Sequence, residues 1–247
     1  MSALPDSPPP YGTVAFDCDS TLSAMEGIEE LARDHAEVKA LTRAAMEGTI
    51  PLEEVFGRRL ALVRPSLADV ERIGELYVEK LVPGVAALVA ALHALGKEVH
   101  VVSGGLLPAV RRVAEALAIP AARVHAVDLA FDAQGAYAGF ETRSPLARAR
   151  GKIEVLRNLT RAGVPLAFVG DGATDIEAAP VCARFVAFGG VERRDKVLAA
   201  ARVKSLEPDF RSLVPLLLSP AEIATLAAQP DHRPLVSPPR TVRHPTA

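Results

Sequence analysis

Tryptophan is missing from this chain, and aromatic residues make up only 4% of its 247 positions. Stacking platforms for single-stranded nucleic acid are built from aromatic rings, so that class of partner is excluded. Cysteine is scarce as well. Cys18 and Cys182 are the only two, too few for a disulfide framework, which points to a reducing compartment. Charge of one sign is lacking: the net charge is −2 and no basic block occurs, so a polyanion finds no electrostatic footprint. No run reaches the ~18 uninterrupted apolar residues of a membrane span. The proline-rich stretch Met1 to Pro10 lacks the charged and apolar regions of a signal peptide. The expectation is a cytoplasmic monomer or homodimer with no nucleic-acid and no membrane partner. What is abundant is Ala, Leu and Val. With 49% hydrophobic residues, the chain can fill one core of the size that a single domain sustains.

The stretch with most chemical content is Val14-Ala15-Phe16-Asp17-Cys18-Asp19-Ser20-Thr21. The apolar run reads as a short buried strand. Asp17 then stands at its carboxyl end, where open α/β sheets hold ligands. In an extended chain residues i and i+2 point the same way, so Asp17 and Asp19 share a face and Cys18 points away. Two carboxylates that close need a divalent cation or a shared proton. A strand ending in a solvated acidic turn, with Ser20 or Thr21 capping a helix, fits the octapeptide equally.

Residues 26–80 read as roughly four helices without a strand. Ile28 and Leu31, Val38 and Leu41, and Leu52, Val55, Phe56 and Leu60 recur at helical spacing, and Ser66 can cap a helix carrying Val70, Ile73 and Tyr77. Strands then alternate with helices. Glu98 to Val102, Pro165 to Val169 and Phe185 to Phe188 read as strands, and two strand-like runs around Asp132-Ala133-Gln134-Gly135 read as a hairpin. This pattern predicts an α/β fold: a three-layer, Rossmann-like parallel-sheet core with an inserted helical cap and a small β-hairpin. The expected divisions are a disordered lead over 1–11, the core over 12–25 and 81–218, the cap over 26–80, and a short helix with a disordered proline-rich tail over 219–247.

Three further strand ends carry polar residues. Ser103, Gly104 and Gly105 offer a hydroxyl and unhindered N–H groups to an anion at a helix start, though Ser-Gly-Gly is also an ordinary turn. Lys152 at a helix start opposes the helix dipole, which makes sense if it faces an anion. A solvated surface lysine is the alternative, and Arg148 and Arg150 compete for the role. Gly170-Asp171-Gly172-Ala173-Thr174-Asp175 is more specific: two acids four apart flank glycines directly after an apolar strand, a set of hard oxygens suited to Mg²⁺. Together these pieces fit phosphoryl transfer through a carboxylate nucleophile. A second carboxylic acid protonates the leaving alkoxide and then activates water, while a lysine and backbone donors hold the equatorial oxygens.

These four motifs, in this order between about residues 13 and 218, resemble the haloacid dehalogenase superfamily. Ser20-Thr21 and the run from Glu26 to Ala32 narrow the resemblance to its phosphoserine phosphatase-like branch. The resemblance implies an Mg²⁺-dependent phosphomonoesterase of serine biosynthesis, hydrolysing O-phospho-L-serine through an aspartyl-phosphate. It implies Asp17 as nucleophile and metal ligand, and Asp19 as general acid/base with its backbone carbonyl on the metal. Asp171 is then the third protein ligand, and Asp175 supports the metal site from behind. Ser103, Gly104, Gly105 and Lys152 hold the phosphate, and Thr174 stands where many relatives carry Asn. Glu26 and Arg59 meet the ammonium and carboxylate of the substrate, and Met46 lines the same pocket. Leu52 and Glu47 depart from the branch at positions that bear on selectivity. A phosphatase or phosphotransferase for another small phosphate ester is therefore the competing reading, with a non-enzymatic ligand binder behind it.

Overall fold

The computed structural model describes residues 10–33, 35–38, 40–41, 52–160 and 163–236. Its centre is β1 (Thr13–Phe16), buried at every position. β1 pairs in parallel on one side with β2 (Glu98–Leu106) and on the other with β6 (Leu166–Gly170). Adding β3 (Val124–Val127), β7 (Arg184–Phe188) and β8 (Lys204–Ser205) gives a six-stranded sheet ordered β3-β2-β1-β6-β7-β8, with every pairing parallel. A continuous apolar run suits a strand covered on both faces, which is why Val14, Ala15 and Phe16 occupy the middle. The chain steps from β1 to one side and later returns to the other. Such a switch opens a crevice beyond the carboxyl ends of the strands, and the motif residues lie there.

An all-helical insertion follows β1: α1 (Gly27–Leu31), α2 (Leu52–Val63) and α3 (Leu67–Glu79), with no named strand among its described residues. Its two ends run antiparallel, the N–H of Ala24 donating to the Lys80 carbonyl at 2.8 Å and that of Val82 to the Leu22 carbonyl at 3.0 Å. Ser66 and Asp69 form the expected capping box at the start of α3. α3 is not free of the core. It lies on α5 (Leu107–Ala116), the core helix that follows β2; α4 (Val85–Ala94) precedes β2. At Gly74 the contact is so close that a Cβ would sit 2.9 Å from Arg112 Cβ, so only glycine permits this crossing. The hairpin β4 (Leu129–Phe131) and β5 (Tyr137–Phe140) turns where expected, with Asp132 Oδ1 accepting from the N–H groups of Gln134 and Ala136. It reaches over to the insertion. Phe140 meets Phe56 edge to face at 5.3 Å, and the Leu67 N–H donates to the Gly135 carbonyl at 2.9 Å.

Three expectations are corrected. The lead does not extend to residue 11, because Tyr11 is buried and its carbonyl accepts from Lys97; residues 1–9 lie outside the described residues. β2 does not stop at Val102. It shifts register and continues to Leu106, where it pairs with Val127, so Ser103-Gly104-Gly105 belongs to the strand and α5 opens only at Leu107. The tail is ordered as far as 236. Helices α10 (Pro220–Ala227) and α11 (Arg233–Val236) bury Leu226 and Leu235; α6 to α9 are Gly151–Leu159, Ala173–Glu177, Asp195–Ala200 and Val214–Leu217. Residues 237–247 lie outside the described residues. The pattern misled because proline dominates the composition there, while two apolar residues and one charge suffice to dock so short a segment.

That charge is Glu222, which binds the Lys97 ammonium; the Lys97 side chain is 4% exposed and also donates to the Tyr11 carbonyl at 2.6 Å. Burial works against the Glu222 carboxylate, but Lys97 and the Ser219 cap outweigh it and hold its pKa below the usual value. A carboxyl with a depressed folded pKa stabilises fully above its unfolded value of about 4.3 and stops doing so as pH falls through the folded value. Glu222→Ala should therefore cost about 2 kcal/mol in urea melts at pH 7, since it strands a buried ammonium. The difference from the parent should shrink as the pH is lowered below about 4.

Candidate active site

Asp17 follows directly on β1, anchored by its N–H to the Val169 carbonyl at 2.9 Å. Asp171 follows β6, and Asp175 lies in the first turn of α7. Lys152 is the second residue of α6 and is buried, whereas Arg150 and Arg148 are exposed. Lys152 is the one of the three that meets the acids: its Nζ lies 2.8 Å from Asp17 Oδ2 and 2.6 Å from Asp175 Oδ1. Asp175 Oδ2 also accepts from the Gly172 N–H at 2.8 Å. Carboxylate oxygens of Asp17, Asp171 and Asp175 fall within 4.8 Å of one another, a buried acidic cluster with the spacing to surround a cation.

Asp19 shares this site but keeps different company. Its Oδ1 accepts from the Gly27 N–H at 2.8 Å and from the hydroxyl of Tyr77, and its Oδ2 from Ser103 Oγ at 3.3 Å. Ser103 is fully buried, and its hydroxyl also accepts from the Gly105 N–H at 3.0 Å. It is thus engaged with Asp19, while Gly104 and Gly105 themselves line the cavity. Cys18 is buried in the turn that follows β1 and does not line the cavity.

The cavity measures about 850 Å³ and is walled by Asp17, Asp19, Lys152 and Asp171 at one end and by Glu26 and Arg59 from the insertion. Thr174 lines it too. Arg59 Nε is shielded from solvent and has no hydrogen-bond partner, which is costly unless a ligand supplies one. Burial pulls the Arg59 pKa below its usual value, against the attraction of Glu26, Glu29 and Asp19. Met46 and Glu47 lie outside the described residues, as does the Leu52 side chain.

One residue of this site went unread in the sequence. Arg194, in the segment between β7 and α8, donates from Nε to Asp171 Oδ2 at 2.7 Å and from Nη2 to Glu26 Oε1 at 2.8 Å. Glu26, which also accepts from Ser20 Oγ at 2.8 Å, is therefore already paired. The available signal was position: Arg194 follows the Gly189-Gly190 end of a strand, in a run of charges that reads as a solvated loop. Thr21, the second hydroxyl of the first motif, donates to Asp171 Oδ1 at 3.1 Å and so joins two motifs.

Electrostatics at the site follow from crowding. Burial, then Asp17, raises the pKa of Asp19 against the pull of Tyr77 and Gly27. Burial, then Asp17, raises Asp171 against Arg194. Asp175 is pushed up to about 8 by burial, with Asp17 and Asp171 adding to it and Lys152 opposing. Glu26 is likewise pushed up to about 8 by burial and Asp19. For Lys152, burial favours the neutral form, but Asp17 and Asp175 overcome it and hold the proton.

The model of the haloacid dehalogenase-like hydrolases matches residues 14–180, spanning β1 to α7. The chain belongs to this hydrolase family. Mouse phosphoserine phosphatase is 40% identical over 189 residues, which cover 74% of this hydrolase and 84% of the mouse protein. The chloroplastic phosphoserine phosphatase of Arabidopsis thaliana is 36% identical, over 76% of this hydrolase and 66% of the plant protein. Among solved structures, a substrate-bound phosphoserine phosphatase complex superposes with a TM-score of 0.70 at 26% identity, covering 84% of this hydrolase and 99% of that chain.

The acidic cluster makes a checkable demand. A divalent cation should raise the thermal midpoint, because it binds a folded cluster that the unfolded chain lacks. Binding must displace protons from carboxyls whose pKa values are raised, so the shift at fixed Mg²⁺ should be larger at pH 8 than at pH 6. Differential scanning fluorimetry across that range measures it. Equal shifts at both values, or none, would count against the cation site.

Proposed function

We propose that this hydrolase is a phosphoserine phosphatase, releasing serine and phosphate from O-phospho-L-serine. The observation that carries the reading is the buried, unpartnered Nε of Arg59 in the same cavity as the acidic cluster. A phosphate ester bound at the cluster places the rest of its molecule toward Arg59, whose fork suits a carboxylate. Glu26, held by Arg194, lines the same cavity and offers a carboxyl group toward an ammonium. The relatives, named as phosphoserine phosphatases, support the same substrate.

The donor set fits Mg²⁺: hard carboxylate oxygens, buried and mutually close. Asp17, Asp171 and the carbonyl of Asp19 would hold it, with Asp175 behind them. When bound, the ion supplies positive charge to the phosphoryl oxygens and to the crowded carboxylates. The protein groups act around it. The Asp17 carboxylate attacks phosphorus, and the bond to the serine oxygen breaks with its electron pair going to that oxygen. Asp19 gives that oxygen its proton, and serine leaves. Asp19 then takes a proton from water, whose oxygen attacks the aspartyl-phosphate, releasing phosphate and restoring Asp17. Lys152, fixed between Asp17 and Asp175, is placed to hold the charge that gathers on the phosphoryl group. Gly104 offers its backbone to the same group, while Gly105 lines the cavity with its N–H held by Ser103 Oγ.

Asp17→Asn should lower turnover by at least about a thousandfold with an unchanged circular dichroism spectrum. Phosphate release from phosphoserine should exceed that from glycerol phosphate and ethyl phosphate by at least about a hundredfold in kcat/KM, and Arg59→Ala should remove most of the preference by raising KM for phosphoserine. Equal rates on all three esters would transfer the reading to a sibling small-ester phosphatase, which the pairing of Glu26 with Arg194 would then explain.

A further inference from the structure

Asp19 has two carboxyl oxygens, and the fold treats them differently. Oδ1 receives two donors, the Gly27 N–H at 2.8 Å and the Tyr77 hydroxyl, while Oδ2 is turned toward Ser103 and Gly105 at the phosphate end of the cavity. An oxygen that accepts two hydrogen bonds has no room to carry a proton as well. Oδ2 is the oxygen left free for exchange, on the side of Ser103 and Gly105.

Tyr77 is an unusual source for one of those donors. It belongs to α3, in the helical insertion, yet it is fully buried and does not line the cavity. Its hydroxyl passes so close to α1 that a Cβ at Gly27 would come within 2.2 Å of it. The helix that carries it is fastened to the core at Gly74, against Arg112 and Ala109 of α5, and by the Glu75 to Arg112 ion pair at 2.7 Å. α5 begins directly after the strand that bears Ser103. The donor to Oδ1 and the neighbour of Oδ2 therefore stand on one packed unit.

We infer that Tyr77 is a positioning residue for the general acid/base, fixing Asp19 so that Oδ2 alone exchanges protons with the leaving group and with water. The inference rests on the role given to Asp19 above. Tyr77 orients the carboxyl and never touches the ester. In the first half-reaction the Oδ2 proton passes to the serine oxygen as the P–O bond breaks, and that transfer requires the oxygen to be aimed. An aryl phosphate needs no such transfer, because its phenolate leaves unaided.

The leaving group thus separates positioning from structural support. Tyr77→Phe removes only the hydroxyl. It should lower kcat/KM for phosphoserine about thirtyfold and that for p-nitrophenyl phosphate less than about threefold, a selective loss of the size that general acid catalysis contributes in part. Gly27→Ala pushes the Tyr77 hydroxyl off Oδ1 from the other side and should show the same selectivity, so that the result does not depend on one variant's folding. Equal losses on both esters in the two variants, or none, overturn the inference. Asp19→Asn run beside them tells the two readings apart. If its losses are equal on both esters, Asp19 is not the acid and the inference falls with that assignment. If they are selective while those of Tyr77→Phe are not, Tyr77 alone is misassigned.

Discussion

Four aspartates, Asp17, Asp19, Asp171 and Asp175, converge at the carboxyl ends of two adjacent strands, and their mutual repulsion is the constraint around which the rest is arranged. Burial works against ionisation of Asp19, Asp171 and Asp175, whose pKa values are raised. Lys152 and Arg194 enter from opposite sides to offset this. Lys152 spans Asp17 and Asp175, and Arg194 spans Asp171 and Glu26. Neither cation compensates fully, since Asp19, Asp171 and Asp175 keep raised pKa values beside them. Holding like charges together demands a stiff frame, and the central strands β1 and β6, buried along their whole length, provide it.

The insertion that roofs this site is attached in two ways. α3 is pressed into the core, close against Arg112 and Ala109 of α5 at Gly74. α2 is held instead by Phe56 against Phe140 of the hairpin, whose tip meets Leu67 at the start of α3. The first attachment delivers Tyr77 to Asp19, and the second frames the part of the cavity that carries Arg59. The two attachments differ in extent: α3 lies along α5, whereas α2 meets the hairpin through the ring pair of Phe56 and Phe140. Any opening of the roof costs least at the second, which has the fewest buried contacts.

Much of the site could be read from residue order because its elements are local. Asp17 with Asp19, and Asp171 with Asp175, sit within single turns of chain, and an apolar run ending in an acid announces both. The central strands and the hairpin turn were legible for the same reason. Ser103 was seen but misplaced, since a strand that shifts register looks in sequence like a strand that ends. Residues 229–236 read as tail because proline dominates the composition there and the burial of Leu235 leaves no periodic trace.

What the sequence alone determined is the inventory: a parallel α/β sheet, a helical insertion, and paired acids at strand ends, all set by short-range period and spacing. Tertiary structure decided which of three basic residues meets the acids, that Glu26 arrives already paired with Arg194 across 168 positions, and that Tyr77 reaches back 58 positions to Asp19. Those choices depend on which side chains a folded backbone brings within about 3 Å. No one-dimensional pattern encodes that distance, because burial and charge compensation are properties of the packed whole.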